Sequence, residues 1–515
     1  MSQPNIVIIK ILQNLFNCHI RLLLPTIKKF NQISKKWNKE ILPKLQVQFK
    51  YKDLSVYDCS GVLYLCRKYN IGHKVNGVSM AFDMKTFDEY EDDVQSLEVT
   101  NSQALLFGAY PNLKKIRVFS SWLDTFDEDA IDELIQYDVS LEVGSSKRNY
   151  LEKWDSWRLF TSLTLYNQNL ELSPEPIESP PITIRLRKLK LCETNISSDS
   201  NLIELLLTHS PLLEILEFNN SNIPIKQVVE SLTHQNLPNL KKFKLENYQE
   251  MEFTDILRLL NSIHCTDVKL KLGDLEAESP QNVFNSTINN QSIKKFYFQP
   301  IRFTQHNTEL SFFNIWKDKS QLEFITITEN KGYILKNTDI LPNLKTLKFK
   351  PERHSRDYFI YFKELKQLIE TTCPNIIKFM SNHFYCADLI LLLKENYPKL
   401  REITVYGIIE NNYSITDLIT AIKFNTHLKK LLTPAINIPN ETYNSYPILC
   451  EILKQNHTLE TVLLPFDYTY ETNIEKELDD TLSHNTTIKQ VIQCSRPQIE
   501  PPIRNLINKY LIEWY

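Results

Sequence analysis

The chain has 515 residues, 42% of them hydrophobic and 23% charged, with a formal net charge of −3 at pH 7. That balance is ordinary for a globular protein and argues against a nucleic-acid binder that relies on bulk positive charge. With only 8 glycines and no GxGxxG, P-loop, GxSxG, HExxH or CxxC spacing, the chain is expected to have no catalytic residues, no metal ligands and no cofactor. In chain order, the first signal is Pro4 to Leu15, a short helix pattern opened by proline, with apolar residues on more than one face. A second apolar stretch, Ile20 to Leu24, is followed by Pro25 and then by Ile33-Ser-Lys-Lys-Trp37. Lys10, Gln13, Asn14 and Arg21 interrupt the apolar run from Ile6 to Leu24, so neither a membrane-spanning helix nor a signal peptide is expected.

From about residue 75 onward one phrase, Leu-x-x-Leu-x-Leu with Ile, Val or Phe substituting, recurs at a period of roughly 27 residues. Its early copies are partial (Val78/Met80, Leu97/Val99, Leu141/Val143), whereas Leu113/Ile116/Val118 and Phe160/Leu163/Leu165 are complete. The clearest copies are Leu186/Leu189/Leu191, Leu213/Leu216/Phe218, Leu240/Phe243/Leu245, Ile293/Phe296/Phe298, Leu322/Ile325/Ile327 and Leu344/Leu347/Phe349. One copy begins on Asp267 and retains only Leu270 and Leu272, and later copies begin at Ile376, Leu400, Leu428, Leu459 and Ile488.

This period accommodates one short strand and one helix. Ile225, Val228, Val229 and Leu232 are spaced for a single helical stripe, Thr254-Asp255 offers a cap before Ile256, and similar patterns follow Ala387, Ile415, Tyr446 and Ile474. Between helix and phrase stands either a proline, as in Ser210-Pro-Leu-Leu213 and Tyr397-Pro-Lys-Leu400, or an asparagine, as in Asn425-Thr-His-Leu428, Asn456-His-Thr-Leu459 and Asn485-Thr-Thr-Ile488. Proline cannot continue a helix, and asparagine tolerates the left-handed backbone that closes one, so both are read as helix stops. After the Pro501-Pro502 pair, Leu506, Ile507, Tyr510, Leu511 and Trp514 are spaced for a last helix that caps the array.

These phrases resemble those of the leucine-rich-repeat superfamily in its longer, helix-bearing form. The resemblance implies an α/β solenoid over residues 75–495, curved, with a parallel sheet on the concave face and helices on the convex face, and a C-terminal cap over 496–515. Residues three beyond the last anchor, usually Asn or Cys in that family, are Thr194, Ser221, Tyr248 and Asn330 here, which implies an irregular side-chain ladder. Residues 1–50 resemble an F-box, the helical module that precedes such repeats in ubiquitin-ligase substrate adaptors. About two extra helical turns between Ile20 and Trp37, and Asn5-Ile6 in place of an acidic residue, depart from that pattern. The resemblance implies that Val7, Ile8, Ile11, Leu12 and Leu15 dock on a Skp-type adaptor and through it a cullin, with Ile20, Leu23 and Trp37 completing the unit. The other reading of this segment is a cap on the exposed end of the repeats, in a scaffold or regulatory protein without ligase coupling.

Strand residues between anchors point away from the core. They form a mostly basic stripe: Lys115, Arg117, Lys188, Lys190, Lys242, Lys244, Lys269, Lys271, Lys295, Lys348 and Lys350, with Tyr297 and later Tyr406 among them, interrupted by Glu217 and Glu246. Leu432, Leu463 and Ile492 make its distal part apolar. The expected partners are therefore proteins, including an acidic or phosphorylated substrate, rather than nucleic acid or membrane. Nine scattered cysteines, without paired spacing, fit a reducing compartment, cytoplasm or nucleus. The acidic groups at 88–93 and 124–133 are read as solvated faces.

Overall fold

A computed structural model describes residues 9, 12, 41–50, 56–76, 78–79, 94–99, 111–119, 134–143, 159–167, 169–170, 184–196, 202–223, 225–234, 237–247, 251–276, 287–303, 316, 321–329, 340–351, 362–382, 384–406, 408–409, 415–433, 445–463, 474–492, 501–510 and 512–514. The chain divides into two compact units, residues 1–224 with 237–239, and residues 225–236 with 240–515.

In the first unit, β1 (Gln46–Lys50) and β2 (Gly72–Asn76) pair in parallel across the helix α1 (Val56–Lys68). The main sheet then runs β3 (Val78–Ser79), β4 (Ser96–Val99), β5 (Lys115–Phe119), β6 (Asp138–Val143), β7 (Phe160–Tyr166), β8 (Lys188–Cys192) and β9 (Ile215–Asn219), each parallel to the next. The helix α2 (Leu202–His209) returns the chain between β8 and β9. Alternation along β8 and β9 buries the anchors Leu189, Leu191, Leu216 and Phe218, while the residues between them stay half-exposed.

Just past β7, β8 and β9 the backbone is left-handed at Asn167, Glu193 and Asn220, with φ of 50°, 52° and 51°. The N–H groups of Asn167 and Glu193 each donate to the end of the next strand, Cys192 O at 2.9 Å and Asn219 O at 2.8 Å. Two residues beyond the strand ends, the expected irregular ladder is made of hydroxyls. Thr194 and Ser221 are both buried; the Thr194 N–H donates to Ser221 Oγ at 3.2 Å, and the two hydroxyls donate to Cys192 O and Asn219 O.

The second unit repeats the plan. Its elements are α3 (Ile225–His234), β10 (Lys242–Asn247), α4 (Phe253–Ser262), β11 (Asp267–Glu276), β12 (Lys295–Phe303), β13 (Phe324–Glu329), β14 (Thr346–Pro351), α5 (Phe362–Gln367), β15 (Lys378–Ser381), α6 (Cys386–Glu395), β16 (Glu402–Val405), α7 (Ile415–Phe424), β17 (Lys430–Leu432), α8 (Ser445–Leu453), β18 (Thr461–Leu463), α9 (Ile474–His484), β19 (Gln490–Ile492), α10 (Pro501–Tyr510) and β20 (Glu513–Trp514). From β10 to β20 each strand is parallel to its successor, and from α5 to α10 each helix packs on the next. Parallel strands cannot be joined by tight turns, so the returning helices follow from the strand direction. Both units are α/β solenoids of leucine-rich-repeat type, in which anchors such as Phe243, Phe296, Leu347 and Val462 are buried only because a neighbouring repeat covers them.

Three local expectations are corrected. The helix α4 starts at Phe253 with Glu252 as its N-cap residue and no side-chain cap, and Asp255 lies buried in its first turn. The Pro501-Pro502 pair opens α10 rather than preceding it, because a missing N–H costs nothing in a first turn. That helix ends at Tyr510, and Trp514 belongs to the added strand β20.

The asparagines before the last phrases also differ from expectation. Left-handed backbone occurs at Asn396, the C-cap of α6, but Asn425, Asn456 and Asn485 are not left-handed and are almost fully buried. Each side chain bonds its own turn and the turn of the previous repeat. Asn456 Nδ2 donates to Ile422 O at 2.7 Å and Asn425 O at 2.9 Å, while its Oδ1 accepts from the N–H groups of Thr458 and Leu459, both at 2.9 Å. Asn485 repeats this against Leu453 O and Asn456 O, both at 2.8 Å, and Asn290 does so against Leu260 O and Ile263 O, both at 2.7 Å. The asparagine ladder therefore sits where helices feed strands, and it satisfies carbonyls that the helix ends leave unpaired.

Candidate protein-binding face

The outward residues of the second unit's sheet fall into rows set by strand register. One row runs Lys244, Lys269, Tyr297, Thr326, Lys348, Met380, Thr404, Leu432, Leu463 and Ile492. A flanking row runs Lys242, Asp267, Lys295, Phe324, Thr346, Lys378, Glu402 and Lys430. Thus Lys242, Lys244, Lys269, Lys295, Tyr297 and Lys348 share one face, as does Lys271, two residues along β11 from Lys269. Lys350 is opposite Thr328 in register, with its side chain outside the described residues, and Tyr406 stands just beyond β16 and is 55% exposed. Lys188 and Lys190 lie half-buried on the corresponding face of the first unit, beside Ser162 and Thr164 on β7 and Ile215 and Glu217 on β9.

The face is not a continuous basic stripe, because carboxylates are interleaved with the lysines. Glu246 takes both Lys244, at 2.9 Å, and Lys271. Burial pushes the Glu246 carboxyl up, but the hydrogen bonds from Lys271 and Lys244 outweigh it and bring the group from its ordinary 4.5 down to about 2. Lys378 pairs with Glu402 at 2.9 Å, and in the first unit Arg117 pairs with Glu142 while Lys115 lies 4.0 Å from Asp138.

Lys348 differs from these. Its side chain is half-buried and reaches over the Tyr406 ring, with Nζ 5.5 Å from the centroid, and among the described residues no carboxylate pairs with it. Burial and the nearby Lys378 ammonium both push its pKa down. Beside it in register is Thr326, only 3% exposed, whose Oγ1 has no hydrogen-bond partner among the described residues. Next along, Tyr297 stacks at a tilt on Phe324, centroids 4.4 Å apart; burial, and then Asp267, raise the Tyr297 phenol. Past Met380 and the buried Thr404 the row becomes aliphatic, with Leu432, Leu463 and Ile492 each half-exposed. Phe324, Thr326 and Met380 escaped the sequence reading, which named the lysines, the two tyrosines and the distal aliphatic residues but not these positions between them.

A recess of about 420 Å³ opens at the asparagine-ladder edge between Arg401, His427, Lys429, His457, Glu460 and Lys489. Its lysines are already engaged: Glu460 accepts from Lys429 at 2.7 Å and from Lys489 at 2.6 Å, and these bonds hold its carboxyl at about 2. Of the expected adaptor-binding residues, Leu12 is helical and 6% exposed, while Val7, Ile8, Ile11, Leu15, Ile20, Leu23 and Trp37 lie outside the described residues. The acidic groups at 88–93 and 124–133 also lie outside them. Among the described residues no group of His, Cys, Asp and Glu is arranged to hold a metal ion, and no helix is long and apolar enough to cross a membrane. The described cysteines Cys66, Cys192, Cys265, Cys373, Cys386 and Cys450 are buried thiols, and burial raises Cys265 to about 12 and Cys450 to about 11.

No family model matches the chain, and no curated protein matches it by sequence. Among solved structures it is similar to a leucine-rich-repeat protein of Leptospira interrogans, at 14% identity and a TM-score of 0.39, covering 84% of this chain and 98% of that one. It is also similar to a crystal structure of a yeast Rad7 and Elc1 complex, at 11% identity and a TM-score of 0.29, covering 74% of this chain and 93% of that one. Neither likeness bears on the site. The repeat type rests on the strands, anchors and turns themselves.

Proposed function

We propose that the chain is a protein-binding leucine-rich-repeat protein that receives its partner on the outward face of the sheet, and that it serves a cullin-type ubiquitin ligase as substrate-recognition adaptor. The observation that carries the ligase reading is the order of residues 4–37, a proline-led apolar helix pattern, a second apolar stretch and Ile33-Ser-Lys-Lys-Trp37, ahead of the repeats. In this role the protein makes and breaks no bonds; holding a substrate near a ubiquitin-conjugating enzyme raises the effective concentration of the reacting groups. Cytoplasm or nucleus, where such ligases act and where thiols stay reduced, is the proposed location.

Burial of Leu12 favours a second reading, in which the segment is spent on capping and the protein is a scaffold without ligase coupling. A pull-down with Ile8→Asp combined with Leu12→Asp separates the two. The ligase reading expects wild-type protein to recover a Skp-type adaptor and a cullin, and the double variant to lose both while its repeats stay folded by circular dichroism. Recovery of neither by folded wild type, with loss of helicity in the variant, would establish the cap.

A further inference from the structure

Lys348 sits near the centre of a face on which the other cations that the structure pairs are matched by the chain's own acids. Lys244 and Lys271 are matched by Glu246, and Lys378 by Glu402. A half-buried ammonium with no counter-carboxylate among the described residues is costly to keep desolvated, and the Tyr406 ring gives only partial compensation. The neighbouring Thr326, 3% exposed, is a second polar group whose hydroxyl has no hydrogen-bond partner among the described residues. Because the two residues are neighbours in register, one anionic acceptor that takes a charge-assisted bond from Nζ lies beside the hydroxyl as well.

The same row supplies the rest of the ligand's description. Leu432, Leu463 and Ile492 are on adjacent strands and present half-exposed aliphatic surface in one line with Lys348. Three strand spacings separate Lys348 from Leu432, a distance of about 14 Å, which an extended peptide covers in about four residues. We propose that the partner of this face is a protein segment carrying a carboxylate side chain that engages Lys348 between Tyr297 and Tyr406, followed at that spacing by aliphatic residues laid along Leu432, Leu463 and Ile492. This proposal rests on the protein-binding reading of the face and adds the chemistry of what is bound. A phosphorylated residue in place of the carboxylate is an outcome that the test distinguishes.

The test is selection of a displayed random 16-residue peptide library on the full chain, in parallel on Lys348→Glu and Leu463→Asp, with circular dichroism verifying that each variant is folded. Wild type is expected to enrich peptides with Asp or Glu about four residues from a run of Leu, Ile or Val. Lys348→Glu should replace that acid with Lys or Arg, and Leu463→Asp should abolish enrichment of the aliphatic run. A selected peptide, synthesised, should bind wild type at least tenfold more tightly than Lys348→Met. The same peptide with phosphoserine at the acidic position should bind no more tightly than the Asp form; tighter binding by tenfold or more would overturn the carboxylate assignment. Peptides enriched equally on all three proteins would overturn the proposal while leaving the chain a protein binder. Failure of every protein to enrich any peptide would overturn both.

Discussion

Asn396 and Asn456 share a residue type and a place near the end of a helix, yet the physics that selects each differs. Asn396 has φ 50° and ψ 47°, the conformation in which glycine is as good as asparagine or better. Asn456 is 2% exposed and makes bonds that no backbone-only residue makes. Replacing Asn396 by glycine keeps the backbone conformation but removes the side chain's partly exposed bonds with the Thr426 N–H and hydroxyl, both at 3.0 Å, and should cost about 1 kcal/mol, whereas glycine or alanine at position 456 should cost roughly 2 to 4 kcal/mol, because buried donors and acceptors are left unmatched. Urea denaturation of the two variants measures the contrast. Glu246 gives a second residue-scale prediction. Its folded pKa, about 2, lies below the ordinary 4.5, so the stability it contributes is fully present above 4.5 and is lost as pH falls from there toward 2. Glu246→Gln should therefore have a shallower loss of stability between pH 4.5 and 2 than wild type, read from denaturation midpoints across that range.

Among the elements, those with a local signature were legible beforehand. The spacing of Ile225, Val228, Val229 and Leu232, like the patterns from Ala387, Ile415, Tyr446 and Ile474, marks helices that the fold contains, because amphipathic spacing is a property of adjacent residues. Ser210-Pro and Tyr397-Pro mark real turns, closed by Leu213 N–H to Ser210 O at 3.1 Å and Leu400 N–H to Tyr397 O at 3.2 Å. What was not legible depends on residues a repeat apart. Cap and ladder asparagines look alike until the turn of the preceding repeat is in place, and pairing of Lys271 with Glu246 follows from register between β10 and β11. The last helix shows the same division. Its stripe was visible, but the passage from Tyr510 into β20 was not, because a two-residue strand such as Glu513–Trp514 is specified by the edge it joins. Deleting residues 497–515 removes the buried Ile503, Leu506 and Ile507 and the bond from Tyr510 to Asp479, and it bares the edge of β19. Such a truncation should lower stability by roughly 3 kcal/mol or more and reduce solubility, as seen by thermal unfolding and light scattering.

For the molecule as a whole, the repeat is the unit of stability, and both compact units are built from it. Leu216 lies in one and Leu245 in the other, each fully buried between repeats. Leu216→Asp and Leu245→Asp should each destabilise the protein by roughly 3 to 5 kcal/mol, since an unpaired carboxylate replaces an anchor that neighbouring repeats enclose. Calorimetry of the two variants should show loss or early melting of cooperative unfolding in each. An outward substitution such as Lys348→Met should leave the same transition within about 0.5 kcal/mol of wild type. The candidate face was only partly legible at this scale: sequence placed its lysines on one side of the sheet, but the carboxylates that pair Lys244, Lys271 and Lys378, and the half-buried Lys348 with no such match among the described residues, emerge only from the stacking of distant segments.

The asparagine ladder also has a direction. Asn485 donates to the turn at Asn456, and Asn456 donates to the turn at Asn425, so each grip reaches toward the amino terminus. Each turn is therefore locked by a bond to the repeat before it, and a chain delivered from its amino end always has that repeat in hand. The array is thus polar: every grip is made by the later repeat on the carbonyls of the one before it, so removing a repeat at the carboxyl end costs the remaining repeats only their acceptors' partners, whereas removal at the amino end strips a donor of its acceptors.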